Sequence, residues 1–353
     1  MAVRLLARTL RGLEDVAAGE VAERGLGEVE HRRHREVWFT APRADPGLLD
    51  LRTVDDLFLL AGVLDGVGHT KAELAKFTGA TRSADLAGLL RQRTRCGGST
   101  GATGVDVAAS FLGKRNYNRF DIEDAVGAEV AGALDLPYHS RRGGAAPPAG
   151  TLSFRVTVEG SRAALALRIA DQPLHRRPYK QASTQGTLHP PLAAAMALLA
   201  GVGPGHTVLD PCCGTGTIVI ETAALAPGAR LLGADHDPRP LAAATANAAL
   251  TATSALWLRA DAGRVPVGTG RVDRVVGNPP WDRQVAALGT LAGRPDRLFR
   301  EVRRVLADSG VAVLLLHEAE DQRAAAESAG LRVGDVRPLS LFGAHPSIVT
   351  LTG

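Results

Sequence analysis

From Thr207 onward, apolar runs of strand length recur at regular intervals with helical spacing between them, the rhythm of an α/β domain. The runs fall near residues 207–210, 230–235, 255–259, 273–277 and 311–317. The stretch 311–316 is unbroken, as a strand buried on both faces requires. Residues 331–341 and 347–351 read as two further strands, an antiparallel pair that completes a seven-stranded sheet. Upstream the pattern differs. Residues 3–10 read as a strand, 12–24 as an amphipathic helix with Leu13, Val16 and Val21 at helical spacing, and 29–40 as a second strand region. Asp45-Pro46-Gly47 starts another helix, and residues 54–64 fit either a strand or a buried helix. A small α+β domain on an antiparallel sheet accounts for residues 1–65.

In the middle, residues 71–95 look helical and Gly97-Gly98-Ser99-Thr100-Gly101 breaks the chain. Residues 105–112 alternate as a strand. Asp121 begins a helix whose first turn holds Asp121, Glu123 and Asp124, which suits the positive end of the helix dipole. Residues 152–158 and 163–169 pair as a hairpin across Glu159-Gly160-Ser161-Arg162. A basic linker with an aromatic, Pro173 to Lys180, leads to an alanine-rich helix at 192–199.

The chemistry gathers where the regular pattern begins. Asp210-Pro211-Cys212-Cys213-Gly214-Thr215-Gly216-Thr217 joins the end of an apolar run to the start of a helix. Its glycines let the loop turn sharply and a ligand lie on bare backbone. A Gly-x-Gly after a strand has many possible owners, so the later strand ends matter. Asp235 ends the next run 21 residues past Gly214, where an acid suits ribose hydroxyls. Asp261 ends a third run and suits an adenine amine. Asn278-Pro279-Pro280-Trp281 ends a fourth.

As a set and in this order, these residues resemble the class I methyltransferases that use S-adenosylmethionine. Within them, Asn-Pro-Pro-aromatic resembles the branch that methylates an amino nitrogen of a nucleobase. The resemblance implies that Asp210, Pro211, Cys212, Gly214, Thr215, Gly216 and Thr217, with Asp235, His236, Asp261, Ala262 and Asn278, line the cofactor. Asn278, Pro279, Pro280 and Trp281 would present the base. One departure stands out. Where relatives often follow the aromatic with glycine, Asp282 and Arg283 come next.

Residues from about 111 to 179, ending Leu174-His175-Arg176-Arg177-Pro178-Tyr179-Lys180, resemble the end of a THUMP domain and its linker to a methyltransferase. The whole is most similar to THUMP-containing tRNA guanine-N2 methyltransferases. That implies a ferredoxin-like domain at 1–65, a THUMP-like RNA-binding domain at 66–172, a linker at 173–190 and a Rossmann-like methyltransferase domain at 191–353. The implied reaction forms N2-methylguanosine in tRNA. The motif leaves adenine N6, ribosomal RNA or DNA open as targets, and an RNA-binding protein that has lost catalysis is the rival from another class.

Charge placement agrees with a polyanion partner. The net charge is +4, but residues 1–70 carry −3, residues 71–190 carry +7 and residues 191–353 carry none. Lys114, Arg115, Arg119, Arg141, Arg176 and Arg177 are the candidates for phosphate contacts. Each is also an ordinary surface cation in an arginine-rich chain. No apolar run approaches the length of a membrane span, and the three cysteines offer no metal or disulfide spacing. The adjacent Cys212 and Cys213 read as small side chains filling a tight loop. A cytoplasmic monomer with no metal and no membrane contact is the expectation.

Overall fold

The computed structural model describes residues 2–184, 186–280, 288–292, 294, 296–341 and 343–353. Trp281, Asp282 and Arg283 lie outside them. The chain divides into two compact units, one of Met1–Thr9 and Ala18–Leu174 and the other of Leu10–Ala17 and His175–Gly353.

In chain order the elements begin β1 (Val3–Arg8), α1 (Glu14–Glu23), β2 (Glu28–Arg33), β3 (Glu36–Ala41) and β4 (Asp56–Leu64). They continue α2 (Leu74–Ser83), α3 (Leu86–Arg95), β5 (Gly104–Phe111), α4 (Arg119–Leu134), β6 (Thr151–Glu159) and β7 (Arg162–Arg168). The seven strands form one sheet in the order β2-β3-β1-β4-β7-β6-β5. Residues 1–65 and 66–172 thus share a sheet, joined where β4 runs antiparallel to β7. Only β5 and β6 are parallel within it. In the ambiguous stretch at 54–64, residues 56–64 are a strand because Leu59 lies between Leu5 of β1 and Leu167 of β7, and Leu57 lies beside Ala7 of β1.

Two helical expectations shift at their ends. The stretch at 71–95 holds a 3-10 turn and two helices rather than one, since Ala84 leaves helical geometry and Asp85 accepts from the Gly88 N–H to start α3. The helix placed at Asp121 begins two residues earlier. Asn118 is its cap, and Asp121 returns the bond to the Asn118 N–H, so the acid serves as the far side of a capping box.

The second unit continues α5 (Pro190–Leu199), β8 (Thr207–Asp210), α6 (Thr217–Leu225), β9 (Arg230–Asp235), α7 (Pro238–Ala249), β10 (Leu256–Arg259) and β11 (Val272–Gly277). It closes with α8 (Asp296–Val305), β12 (Leu306–Leu316), α9 (Ala319–Ser328), β13 (Arg332–Pro338) and β14 (Ser347–Thr352). Its sheet runs β10-β9-β8-β11-β12-β14-β13. Strands β8 to β12 are parallel, and β14 is antiparallel between β12 and β13. Val275, Val276, Ala312, Val313 and Leu314 are all fully buried, so the two central strands are covered on both faces. One cluster holds Leu192, Met196, Val208, Ile218, Val276 and Val313, and another holds Leu209, Val275, Phe299, Val302 and Leu314.

The order reverses at β8, which has β9 on one side and β11 on the other. That switch point opens a crevice at the carboxyl ends of the parallel strands, the place where such sheets bind ligands.

Candidate active site

Four strands deliver their last residues to this edge. Asp210 ends β8, Asp235 ends β9, Asp261 follows β10 and Asn278 follows β11. Register fixes their proximity, with Asp210 opposite Gly233 and Val275 opposite Leu209. A Cβ placed on Gly277 would stand 3.6 Å from the Asp210 Oδ1 atom, so the base-presenting motif begins beside the cofactor loop.

The loop itself is held by that carboxylate row. Cys212 N–H donates to Asp210 Oδ1 at 3.1 Å, and Gly214 N–H to Asp235 Oδ2 at 2.9 Å. Asp237 N–H donates to the other Asp235 oxygen at 3.0 Å. Gly214 and Gly216 have φ of 51° and 81°, left-handed values that favour glycine. Gly216 is also irreplaceable on space, because a Cβ there would lie 2.8 Å from the Trp257 ring. Around Gly214 that position is open.

Burial then sets the charges. Asp210 is enclosed, and the loss of water pushes its carboxyl up to about 8, with the Asp235 charge adding to the rise and the Cys212 N–H opposing it. Asp210 is therefore largely protonated at neutral pH. Burial alone would also raise Asp261. Bonds from the Thr290 N–H and hydroxyl and from the Gly263 N–H outweigh it and hold that carboxyl below its usual range. Burial, then the neighbouring acids, drive Cys212 and Cys213 well above an ordinary thiol, which suits packing and opposes thiolate chemistry.

The remaining predicted residues fall into three groups. Pro211, Thr215, Thr217, Ala262 and Pro279 are buried at this edge, His236 is exposed, and Asn278 and Pro280 are partly exposed. Thr215 Oγ1 is buried without a partner among the described residues. No hydrogen bond joins the Asn278 amide to a described residue. Among the phosphate candidates, Lys114, Arg119 and Arg176 are exposed. Arg115 donates to the Gly68 and Gly160 carbonyls, and Arg141 is paired with the fully buried Asp106.

Arg177 has to be withdrawn from that group. Its side chain is 6% exposed and its Nε donates to Glu221 Oε1 at 3.0 Å, where the Tyr179 hydroxyl also donates at 2.7 Å. The sequence pattern suggested a phosphate ligand; the structure uses the guanidinium to pin residues 177–179 to α6. Asn247 was missed altogether. It is 1% exposed, exchanges hydrogen bonds with Ala182 and donates to the Thr215 carbonyl, bracing the cofactor loop. An asparagine inside an alanine-rich helix was the only signal.

These groups fit S-adenosylmethionine. A row of three acids offers acceptors for ribose, adenine and a cationic amino-acid end, the open face of Gly214 admits a ligand, and the Thr215 hydroxyl lacks a partner. Fold and site together define a class I methyltransferase with a base-amine motif. Residues 177–343 match the family described as "RMKL-like, methyltransferase domain". The chain is 33% identical to the tRNA (guanine(6)-N2)-methyltransferase of Thermus thermophilus, over 71% of this chain and 73% of that one. It resembles the crystal structure of TrmN from Thermus thermophilus with a TM-score of 0.79 and 27% identity, covering 100% and 99% of the two chains. The fold is shared with SMU.472, crystallised in complex with SAH, at a TM-score of 0.69 and 16% identity, over 100% and 98%. The chain belongs to the tRNA guanine-N2 methyltransferase family.

Proposed function

We propose that this protein methylates the exocyclic N2 of a guanine in tRNA, in the acceptor-stem region. The observation that carries the reading is Asn278-Pro279-Pro280 leaving β11 beside the Asp210 loop, on the same edge as Asp235 and Asp261. S-adenosylmethionine, when bound, supplies a methyl group already activated on a sulfonium. What the chain must add is placement and a better nucleophile.

The lone pair of a guanine amine is delocalised into its ring. Acceptance of its two N–H bonds by the Asn278 side-chain oxygen and the Pro279 carbonyl favours a more tetrahedral nitrogen with a usable lone pair. The two prolines fix φ along this turn, so the acceptors are placed before the base arrives. Trp281 is assigned the stacking face for a base drawn out of its helix. Asp235 and Asp261 each retain acceptor capacity beyond the backbone bonds they already make. Asp210, neutral in the free protein, ionises at little cost once a cation lies beside it, which places a negative charge where the cofactor's positive end needs one.

The first unit is assigned to RNA binding, as a ferredoxin-like part at 1–65 and a THUMP-like part at 66–172, with Lys114 and Arg119 its exposed candidates and Arg115 and Arg141 partly engaged; Arg176, also exposed, belongs to the second unit. No helix among the described residues is long and apolar enough to cross a membrane, and we assign the protein to the cytoplasm as a monomer. The test uses unmodified tRNA transcripts, purified protein and radiolabelled S-adenosylmethionine, followed by nucleoside mass spectrometry. N2-methylguanosine supports the reading. A methylated adenine keeps the enzyme and overturns the base, and label absent from tRNA moves the search to other nucleic acids.

A further inference from the structure

A groove of about 590 Å³ opens beside Asp261 in the second unit, lined by Gly263, Arg264, Thr290, Arg297, Glu301 and Arg304 among others. Its charges are not equivalent. Arg304 forms a two-pronged pair with Glu301, through Nε at 2.8 Å and an Nη at 2.6 Å, and these two cancel. The Arg264 and Arg297 side chains are exposed and have no acid, carbonyl or ring partner among the described residues. Arg177, Arg239, Arg294, Arg300, Arg323 and Arg337 of the same unit each have a carboxylate within 4 Å, whereas Arg259, Arg271 and Arg332 are exposed like Arg264 and Arg297 but do not line the groove. Two guanidinium groups without a direct partner among the described residues therefore share one concavity.

The floor between them is closely packed. A Cβ on Gly263 would lie 2.3 Å from the Thr290 hydroxyl and 3.3 Å from the Arg297 Cβ, so only glycine allows these chain segments to meet. The same Thr290 holds the Asp261 carboxylate, with both N–H and hydroxyl at 2.7 Å. The groove is thus continuous with the cofactor edge. Its guanidinia do not serve the cofactor's charge, because S-adenosylmethionine carries no phosphate and its carboxylate belongs at the far, amino-acid end. A nucleotide drawn out of its stack does bring phosphates to the site mouth.

We propose that Arg264 and Arg297 form a backbone-phosphate subsite of the catalytic unit, holding the RNA strand next to the target nucleotide. This rests on the proposed function only for the identity of the target base; the ligand chemistry is that of an RNA phosphate. The contacts position the strand and read no sequence. The basic middle of the chain then supplies general affinity, while this pair fixes the nucleotide that enters.

The experiment compares the full-length protein with Arg264→Ala, Arg297→Ala, the double variant and Arg297→Lys. tRNA affinity is measured across a salt series, together with KM for tRNA and the dissociation constant for S-adenosylmethionine. Each alanine should raise KM for tRNA about tenfold and flatten the salt slope of binding by about one. The lysine variant should keep the slope, and cofactor affinity should stay within about twofold of wild type. An unchanged slope in the double variant overturns the proposal. So does loss of cofactor binding in step with loss of RNA binding, which would mark the pair as structural. Absence of N2-methylguanosine from the wild-type reaction sinks the proposed base, and a flattened slope in that case would still support the phosphate site.

Discussion

Replacement of Arg177 by alanine separates two roles that the sequence cannot tell apart. The Glu221 carboxylate is fully enclosed, and the Arg177 Nε and the Tyr179 hydroxyl both donate to its Oε1 atom, at 3.0 and 2.7 Å. Removing the guanidinium leaves a charge in the interior with a large part of its compensation gone, a change that costs about 3–5 kcal/mol. For a cooperative unit of this size that lowers the melting temperature by roughly 6–20 °C. Loss of residues 177–179 from α6 should also loosen the cofactor loop, so cofactor affinity falls with stability. Thermal and urea unfolding, followed with and without S-adenosylmethionine, would measure both. A cycle with Glu221→Leu adds the sign: pairing Arg177→Met with Glu221→Leu should recover most of the loss, because the unpaired charge is gone. The reasoning is refuted if Arg177→Ala unfolds like wild type while its salt slope for tRNA binding falls by about one. That result would make Arg177 a phosphate ligand.

Three further outcomes follow from the site. Asn278→Ala should lower kcat by about 100-fold to 1000-fold and leave the dissociation constant for S-adenosylmethionine nearly unchanged; near-normal turnover would remove its base-presenting role. Asp235→Ala should weaken cofactor binding by about 10-fold to 100-fold, because the Gly214 and Asp237 N–H groups lose their acceptor along with the ribose; isothermal titration reads it directly. Asp210 makes stability and binding depend on pH in opposite senses. The folded protein keeps its proton up to about 8, whereas the unfolded chain releases it near 3.9, so the folded state binds more protons in that window. The free protein should therefore lose stability as pH rises from about 4 to 8. Cofactor binding should tighten over the upper part of the same range as Asp210 ionises beside a cation. Asp210→Asn should flatten both profiles, and an unchanged pH dependence of melting in that variant would show that the carboxyl does not titrate there.

Much of the second unit was legible in the sequence because its signals are local. An unbroken apolar run such as 311–316, set in a regular alternation of strand-length and helix-length segments, reads as a strand covered on both faces, and the Asp210 loop has its two glycines at left-handed φ. The order of strand ends and motifs also places the acids and Asn278, since parallel strands joined by helices all finish on one edge. In the first unit, the helix capped by Asn118 and the hairpin at 151–168 were legible for the same reason.

Tertiary structure decided what depends on residues distant in the chain. Residues 56–64 became a strand because β1 lies beside them from 48 to 54 residues away in sequence and β7 from 99 to 110. Arg177 turned inward because Glu221, 44 residues later, is buried beneath it. Asn247 braces the cofactor loop through Thr215, 32 residues earlier, and nothing in its own neighbourhood announces that. Arg264 and Arg297 look like any other arginines in sequence, and only folding leaves both unpaired in one groove beside Asp261. A side chain's charge and shape are local properties, but whether that charge meets an acid, solvent or a substrate is set by which parts of the chain the fold brings to it.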